Sequence, residues 1–163
     1  MKSLFRGVLV LLLGIMIAVS TEVVSAKALK TTDMQTTTIG KKTYYIIKTE
    51  EQLRSIGKGK YAMSYNYILD TNISLTQEWV AIGDDKSPFT GSFNGNGFTI
   101  SNLKTNSKTA KYIGLFGYVE EGTIYNVTLK NVHIDSAGGK GKHVGAVVAL
   151  CLDGKVYDNV VTK

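Results

Sequence analysis

"KYIGLFGYVEEGTIYNVTL" (residues 111–129) and "KHVGAVVALCLDGKVYDNVV" (residues 142–161) are two copies of one pattern. Lys111 matches Lys142, Ile113 matches Val144 and Gly114 matches Gly145, an offset of 31 residues. One residue inserted in the second copy then sets Gly154 on Gly122 and Val156 on Ile124. A fixed period of roughly 20 to 50 residues is the sequence mark of stacked repeats. The β-prone runs within each copy are short and broken by single Gly, Asn or Asp residues rather than by two-residue hairpin turns. Such a chain suits coils that pair in parallel with the coil before and share a core of Ile, Val, Leu and Phe. An antiparallel β-sandwich also spaces its strands by about 8–12 residues. The repeat favours the coil.

Working outward, "PFTGSFNGNGFTISNL" (residues 88–103) holds a dense run of glycines. A phosphate-binding loop needs Gly-x-x-x-x-Gly-Lys, or Gly-x-Gly-x-x-Gly opening a helix. The Gly91–Gly95 spacing is one residue too short, no Lys follows Gly97, and the segment beyond it reads as a strand. The glycines are therefore expected to let the backbone turn a corner, with Phe93, Phe98 and Ile100 facing the core. Asn94-Gly95 and Asn96-Gly97 are the strong turn signals of the chain. Turn asparagines are expected to form side-chain ladders or to adopt positive φ.

Upstream, "TYYIIK" (43–48) predicts a strand. "TEEQLRSIGKGK" predicts a helix of about two turns. Thr49 and Gln52 can form a capping box, Glu50 and Glu51 suit the first turn, Leu53 and Ile56 share a face, and Gly57 stops it. This helix is expected to cover an end of a sheet. Tyr65, Tyr67 and Leu69 then alternate with polar residues, as do Ile73 and Leu75. Residues 27–43, rich in Thr and Lys, predict a mobile leader. Residues 1–26 have the layout of a signal peptide: basic Lys2 and Arg6, an apolar run from Val8 to Val19, and small residues ending at Ala26. Cleavage after Ala26 would leave one domain over 44–163. No Cys follows the apolar run, so no lipoprotein anchor is expected.

The sequence carries 19 Lys and Arg against 13 Asp and Glu, a net charge of +6. Without residues 1–26 these become 17 and 12, and Arg54 is the one arginine left. The lysines are scattered rather than clustered with aromatic residues, which argues against nucleic-acid binding. A weak affinity for an anionic cell-wall polymer is compatible with this charge. The single cysteine, Cys151, excludes an internal disulfide framework and is expected to be a buried small hydrophobe.

"YIGLFGYV" (112–119) resembles the GLUG motif, a Gly-Leu-x-Gly repeat of bacterial secreted and surface proteins. Gly114, Leu115, Phe116 and Gly117 match it directly. "EWVAIGDDKSPFTGSFNGNGFTISNL" resembles the segment that precedes the first such repeat, through Gly91, Phe93, Gly95 and Gly97. Gly145 opens the second repeat, where "VGAVVAL" puts Ala146 in place of the Leu and Val148 in place of the second Gly. The resemblance spans roughly residues 45–163. It implies an all-β fold, a short right-handed parallel β-helix (a solenoid) with a short N-terminal helix, as a non-catalytic part of secreted or surface proteins. Some immunoglobulin-A-specific metallopeptidases carry such repeats beside a separate protease domain. An edge left open at the C-terminal coil is a risk for association.

Catalytic patterns are weak. A metallopeptidase needs His-Glu-x-x-His, and the two histidines, His133 and His143, stand ten residues apart without acids at ligand spacing. No Gly-x-Ser-x-Gly is present, and a Cys151–His143 dyad requires a cysteine turned outward. Asp84-Asp85 suits a turn better than two carboxylates facing across a groove, and Glu120-Glu121 a solvated turn. Tyr125 and Tyr157, equivalent in the two repeats, are expected to stack on one face, as a stabilising ladder or a surface for sugar rings. The sequons at Asn72 and Asn126 carry little meaning in a bacterial protein. No cofactor and no metal is expected. The expected role is extracellular interaction or adhesion, with host glycans or proteins, cell-wall polymer, or self-association through the C-terminal coil as partners. The alternatives are a carbohydrate-binding or carbohydrate-active protein, or a remnant of a larger surface protein.

Overall fold

The computed structural model describes residues 33–106, 109–135 and 142–163. The signal peptide expected over 1–26 and the first part of the leader lie outside the described residues. The described chain is all-β, with one short helix near its start.

Strand β1 (Thr36–Ile39) runs antiparallel to β2 (Lys42–Ile47), pairing Thr36 with Tyr45 and Ile39 with Lys42. The leader expected to be mobile up to residue 43 is thus ordered from Thr36 onward. Its β-branched threonines favour extended backbone, and Gly40, at φ +63, supports the two-residue reversal between the strands.

Helix α1 (Glu50–Arg54) follows, shorter than the two turns expected. Thr49 Oγ1 accepts from the Gln52 N–H at 3.2 Å. Gln52 does not close the box on Thr49. Its Oε1 accepts from the Lys48 N–H at 2.7 Å and its amide donates to the Asp33 carbonyl at 2.8 Å. Leu53 and Ile56 are buried with Met34 and Tyr61, so the helix covers one end of the core. Burial alone would raise the Glu50 carboxyl. Hydrogen bonds from Arg54 and Thr76 outweigh it and hold that carboxyl below its ordinary range.

Every named strand pair after the first is parallel. The remaining strands up to the first repeat are β3 (Asn66–Leu69), β4 (Ile73–Ser74), β5 (Ser92–Asn94), β6 (Thr99–Ser101) and β7 (Lys104–Asn106). The first repeat supplies β8 (Tyr112–Ile113), β9 (Phe116–Glu120), β10 (Thr123–Tyr125) and β11 (Thr128–Lys130), followed by β12 (His133–Asp135). The second supplies β13 (His143–Val144), β14 (Val148–Leu152), β15 (Lys155–Tyr157) and β16 (Val160–Thr162). One sheet has the order β1-β2-β3-β5-β10-β15, another β4-β6-β11-β16, and β7–β12, β8–β13 and β9–β14 form small two-stranded sheets.

Each strand of the first repeat therefore pairs with its counterpart in the second: Tyr112 with His143, Phe116 with Val148, Ile124 with Val156, Leu129 with Val161. The inserted residue falls just after Gly145. The Leu115 N–H donates to the Ala146 carbonyl at 3.0 Å and the Phe116 N–H to the Val147 carbonyl at 2.9 Å. Val148 consequently faces Phe116, and Ala149 rather than Val148 stands opposite the second motif glycine, Gly117.

Phe93, Ile100, Leu115, Phe116, Val119, Ile124 and Leu129 are fully buried. The Phe116 ring lies 5.0 Å from Phe89 and 5.1 Å from Phe93, centroid to centroid. Phe98 is only half-buried, because it closes the Asn96-Gly97 turn, donating its N–H to the Gly95 carbonyl at 2.9 Å. The inward rows run out at the last strands. Leu129 is 0% exposed but its partner Val161 is 50% exposed. Cys151 stands opposite buried Val119 yet is exposed, which corrects the expectation of a buried thiol: no described strand covers it.

Most motif glycines answer to close approach rather than to φ. A Cβ on Gly95 would overlap the Asn126 carbonyl, and one on Gly114 the Gly145 carbonyl. Gly91, Gly117 and Gly145 press in the same way on the carbonyls of Tyr65, Gly83 and Val148. Gly97 differs: it faces open space at φ +78, after Asn96 at φ 53. The asparagines do both things expected of them. Asn102 and Asn131 have positive φ, and Asn131 Nδ2 donates to Asn102 Oδ1 at 3.2 Å.

Candidate ligand pocket beside Trp79

The segment before β5 builds one wall of a concavity. Trp79 is held at two points: its backbone N–H donates to the Lys104 carbonyl at 2.8 Å and its Nε1–H to the Leu115 carbonyl at 3.0 Å. From the other side the Arg54 guanidinium lies 4.7 Å from the Trp79 ring and donates to the Gln77 carbonyl at 2.9 Å. The lead-in helix thereby fixes the loop as well as the core end. Three residues on, Ile82 pairs in parallel with Phe116.

The two neighbouring acids take different tasks. Asp84 Oδ1 accepts from the N–H groups of Lys86 and Ser87, both at 2.9 Å, and so closes a turn. Asp85 reaches the other way and pairs with Lys111, Oδ2 to Nζ 2.9 Å, with both side chains about half-exposed. The Lys111 ammonium is also 5.0 Å from the Tyr112 ring centroid. Hydrogen bonding with Tyr112, then with Asp85, raises the Lys111 ammonium above its usual range, and Lys111 in turn holds the Asp85 carboxyl below its own.

Between these groups lies a cavity of about 380 Å³. Val80, Ala81 and Ile113 give it an apolar wall, and Asp85 and Lys111 a polar rim. Thr105 also lines it; its side chain is buried and its hydroxyl has no hydrogen-bond partner among the described residues. Val80 is 81% exposed, the most exposed of the large apolar side chains described.

The other residues singled out in the sequence are not brought to this pocket as a reacting set. His133 is exposed, and His143 stacks on Tyr112 at 5.3 Å. Tyr125 and Tyr157 do stack, at 5.3 Å and 15°. Burial, then the contact with the Tyr44 hydroxyl at 3.4 Å, pushes the Tyr125 phenol up to about 12. Among the described residues no three His, Cys, Asp or Glu side chains are placed to hold a metal ion. The motif residues Gly91, Phe93, Gly95, Gly114, Leu115, Phe116 and Gly117 build the framework around the core, not the pocket's polar rim. The pocket was not legible as a site because its residues come from 79–86, 105 and 110–114, which only the pairing of strands brings together.

No family model matches the chain, and no solved structure matches it. The chain is 33% identical over 132 residues to Halomucin of Haloquadratum walsbyi, a match that covers 69% of this chain but 1% of that protein. It is 32% identical over 102 residues to a protein of Evansella cellulosilytica named as a Gly-rich membrane protein, covering 58% of this chain and 12% of the other. The chain therefore spans only a small part of the length of each relative.

Proposed function

We propose that this chain is an exported, non-catalytic module built as a short right-handed parallel β-helix of GLUG-type repeats, and that it acts by binding other molecules at the cell surface or outside the cell. The observation that carries this is the strand-by-strand parallel pairing of residues 112–130 with 143–162, with Gly114 pressed against Gly145. Stacked repeats offer an extended surface, which suits binding. Similarity to proteins named Halomucin and Gly-rich membrane protein supports a surface location. The basic, apolar, small-residue order of residues 1–26 supports export.

The test is expression of the full chain in a bacterial host, followed by fractionation and a binding screen against glycans, cell-wall polymer and extracellular proteins. The product is expected in the medium or envelope, with saturable binding to at least one class and no chemical change of what it binds. A product retained in the cytoplasm at full length, or turnover of a bound molecule, would contradict the proposal.

A further inference from the structure

We infer that the cavity bounded by Trp79, Val80, Asp85, Thr105, Lys111 and Ile113 is a binding site for a neutral sugar unit. The inference rests on the reading of the chain as an extracellular binding module, and names a site and a ligand class for it.

Size comes first. About 380 Å³ lies within the range of roughly 300–1,000 Å³ usual for small-molecule pockets. Charge decides the class of ligand. The charged side chains lining the cavity are Asp84, Asp85, Lys86 and Lys111, whose charges cancel. An anion would meet two carboxylates and a cation two ammonium groups, so neither is favoured. A neutral polyol gains from both signs at once. The Asp85 carboxylate accepts and the Lys111 ammonium donates, and each keeps hydrogen-bonding capacity beyond their mutual contact.

The apolar wall completes the match. A pyranose ring has an apolar C–H face and a hydroxyl rim, and here apolar Val80, Ala81 and Ile113 line the same cavity as the charged groups. The site is also preorganised, because Trp79 is anchored at both its backbone and its indole N–H and Asp84 locks the turn before Lys86. Rigid sites lose less entropy on binding.

Trp79 is the only tryptophan of the chain and lines the cavity, so its fluorescence reports occupancy directly. The full chain is titrated with cellobiose, maltose and N,N′-diacetylchitobiose, and with glucosamine and galacturonic acid as charged probes. At least one neutral disaccharide is expected to give a saturable change, with affinity at least tenfold weaker in both Lys111→Met and Asp85→Asn. Lys48→Met, which breaks a comparably exposed ion pair with Asp70, is expected to leave it unchanged. The inference is overturned if none of the three neutral sugars gives a saturable change, if the Lys111 and Asp85 variants bind as well as the parent, or if a charged probe binds more tightly. The sugar is recovered and chromatographed after titration. Intact sugar keeps both the site and the non-catalytic reading, whereas cleaved sugar keeps the site and ends that reading. Silence in the titration beside binding in the wider screen ends the site alone.

Discussion

Gly95→Ala is expected to destabilise the chain by about 3 kcal/mol, a large share of the roughly 5–15 kcal/mol that holds a domain folded. Gly95 sits at the corner between β5 and β6, buried, where an added Cβ would overlap the Asn126 carbonyl and crowd the Cα of Val127. Those atoms belong to the backbone of the first repeat, so no side-chain rotation relieves the contact. The strands must separate, and with them the pairing of Phe93 with Ile124 and of Asn94 with Tyr125. Gly97→Ala, two residues on, is the control. Its Cβ meets nothing, and its cost is the roughly 1–2 kcal/mol of placing an L-residue at positive φ. Urea denaturation of the two variants should show a clear gap in midpoint. Equal midpoints would mean that the backbone at Asn126 does not approach Gly95 as described.

The second large effect is at Phe116. Phe116→Ala is expected to cost about 3–5 kcal/mol. The side chain is fully buried and its ring contacts both Phe89 and Phe93, so its loss opens a cavity between the segment before the first repeat and the repeat itself. Val161→Ala should cost less than about 1 kcal/mol. Val161 continues the inward row of Ile73, Ile100 and Leu129 but is half-exposed. Thermal unfolding of the two variants measures the contrast. A large loss at Val161 would show that its side chain is covered, contrary to its exposure.

Both predictions arise from features the sequence carried unequally. The repeat was legible because Gly114 and Gly145 mark the same point of the two copies. Their spacing is fixed by a backbone contact that tolerates no side chain. The corner was legible at Asn96-Gly97, where both residues take the positive φ that Asn-Gly favours, whereas Asn94-Gly95 does not. The insertion was placed correctly between Gly145 and Gly154, but its local register was not. One residue moves Val148 from opposite Gly117 to opposite Phe116, and no side-chain pattern in "GAVVAL" distinguishes these. The ordered β1 was missed because a Thr-rich run is polar enough to resemble a leader, and its order comes from pairing with β2. Cys151 was misjudged for the opposite reason. Its apolar surroundings and inward register say core, and only the lack of a described strand over it says otherwise. The Trp79 pocket is legible least of all. Trp79, Asp85, Thr105 and Lys111 are brought together by strand pairing and by the turn that Asp84 closes, neither of which is a motif.

The central claim is that the second repeat lies directly on the first, parallel and in register. Thr128 and Val160 are partners in β11 and β16, with Leu129 and Val161 marking the inward face between them and Lys130 and Thr162. Parallel neighbours stand about 4.8 Å apart, within the roughly 4.4–6.8 Å that a disulfide spans between Cα atoms. In a Cys151→Ser background, the pair Thr128→Cys and Val160→Cys should cross-link nearly completely under mild oxidation of the folded chain. The pair Thr128→Cys and Thr162→Cys, which an antiparallel arrangement would bring together, should remain reduced. Cross-linking of the second pair in preference to the first would contradict the account.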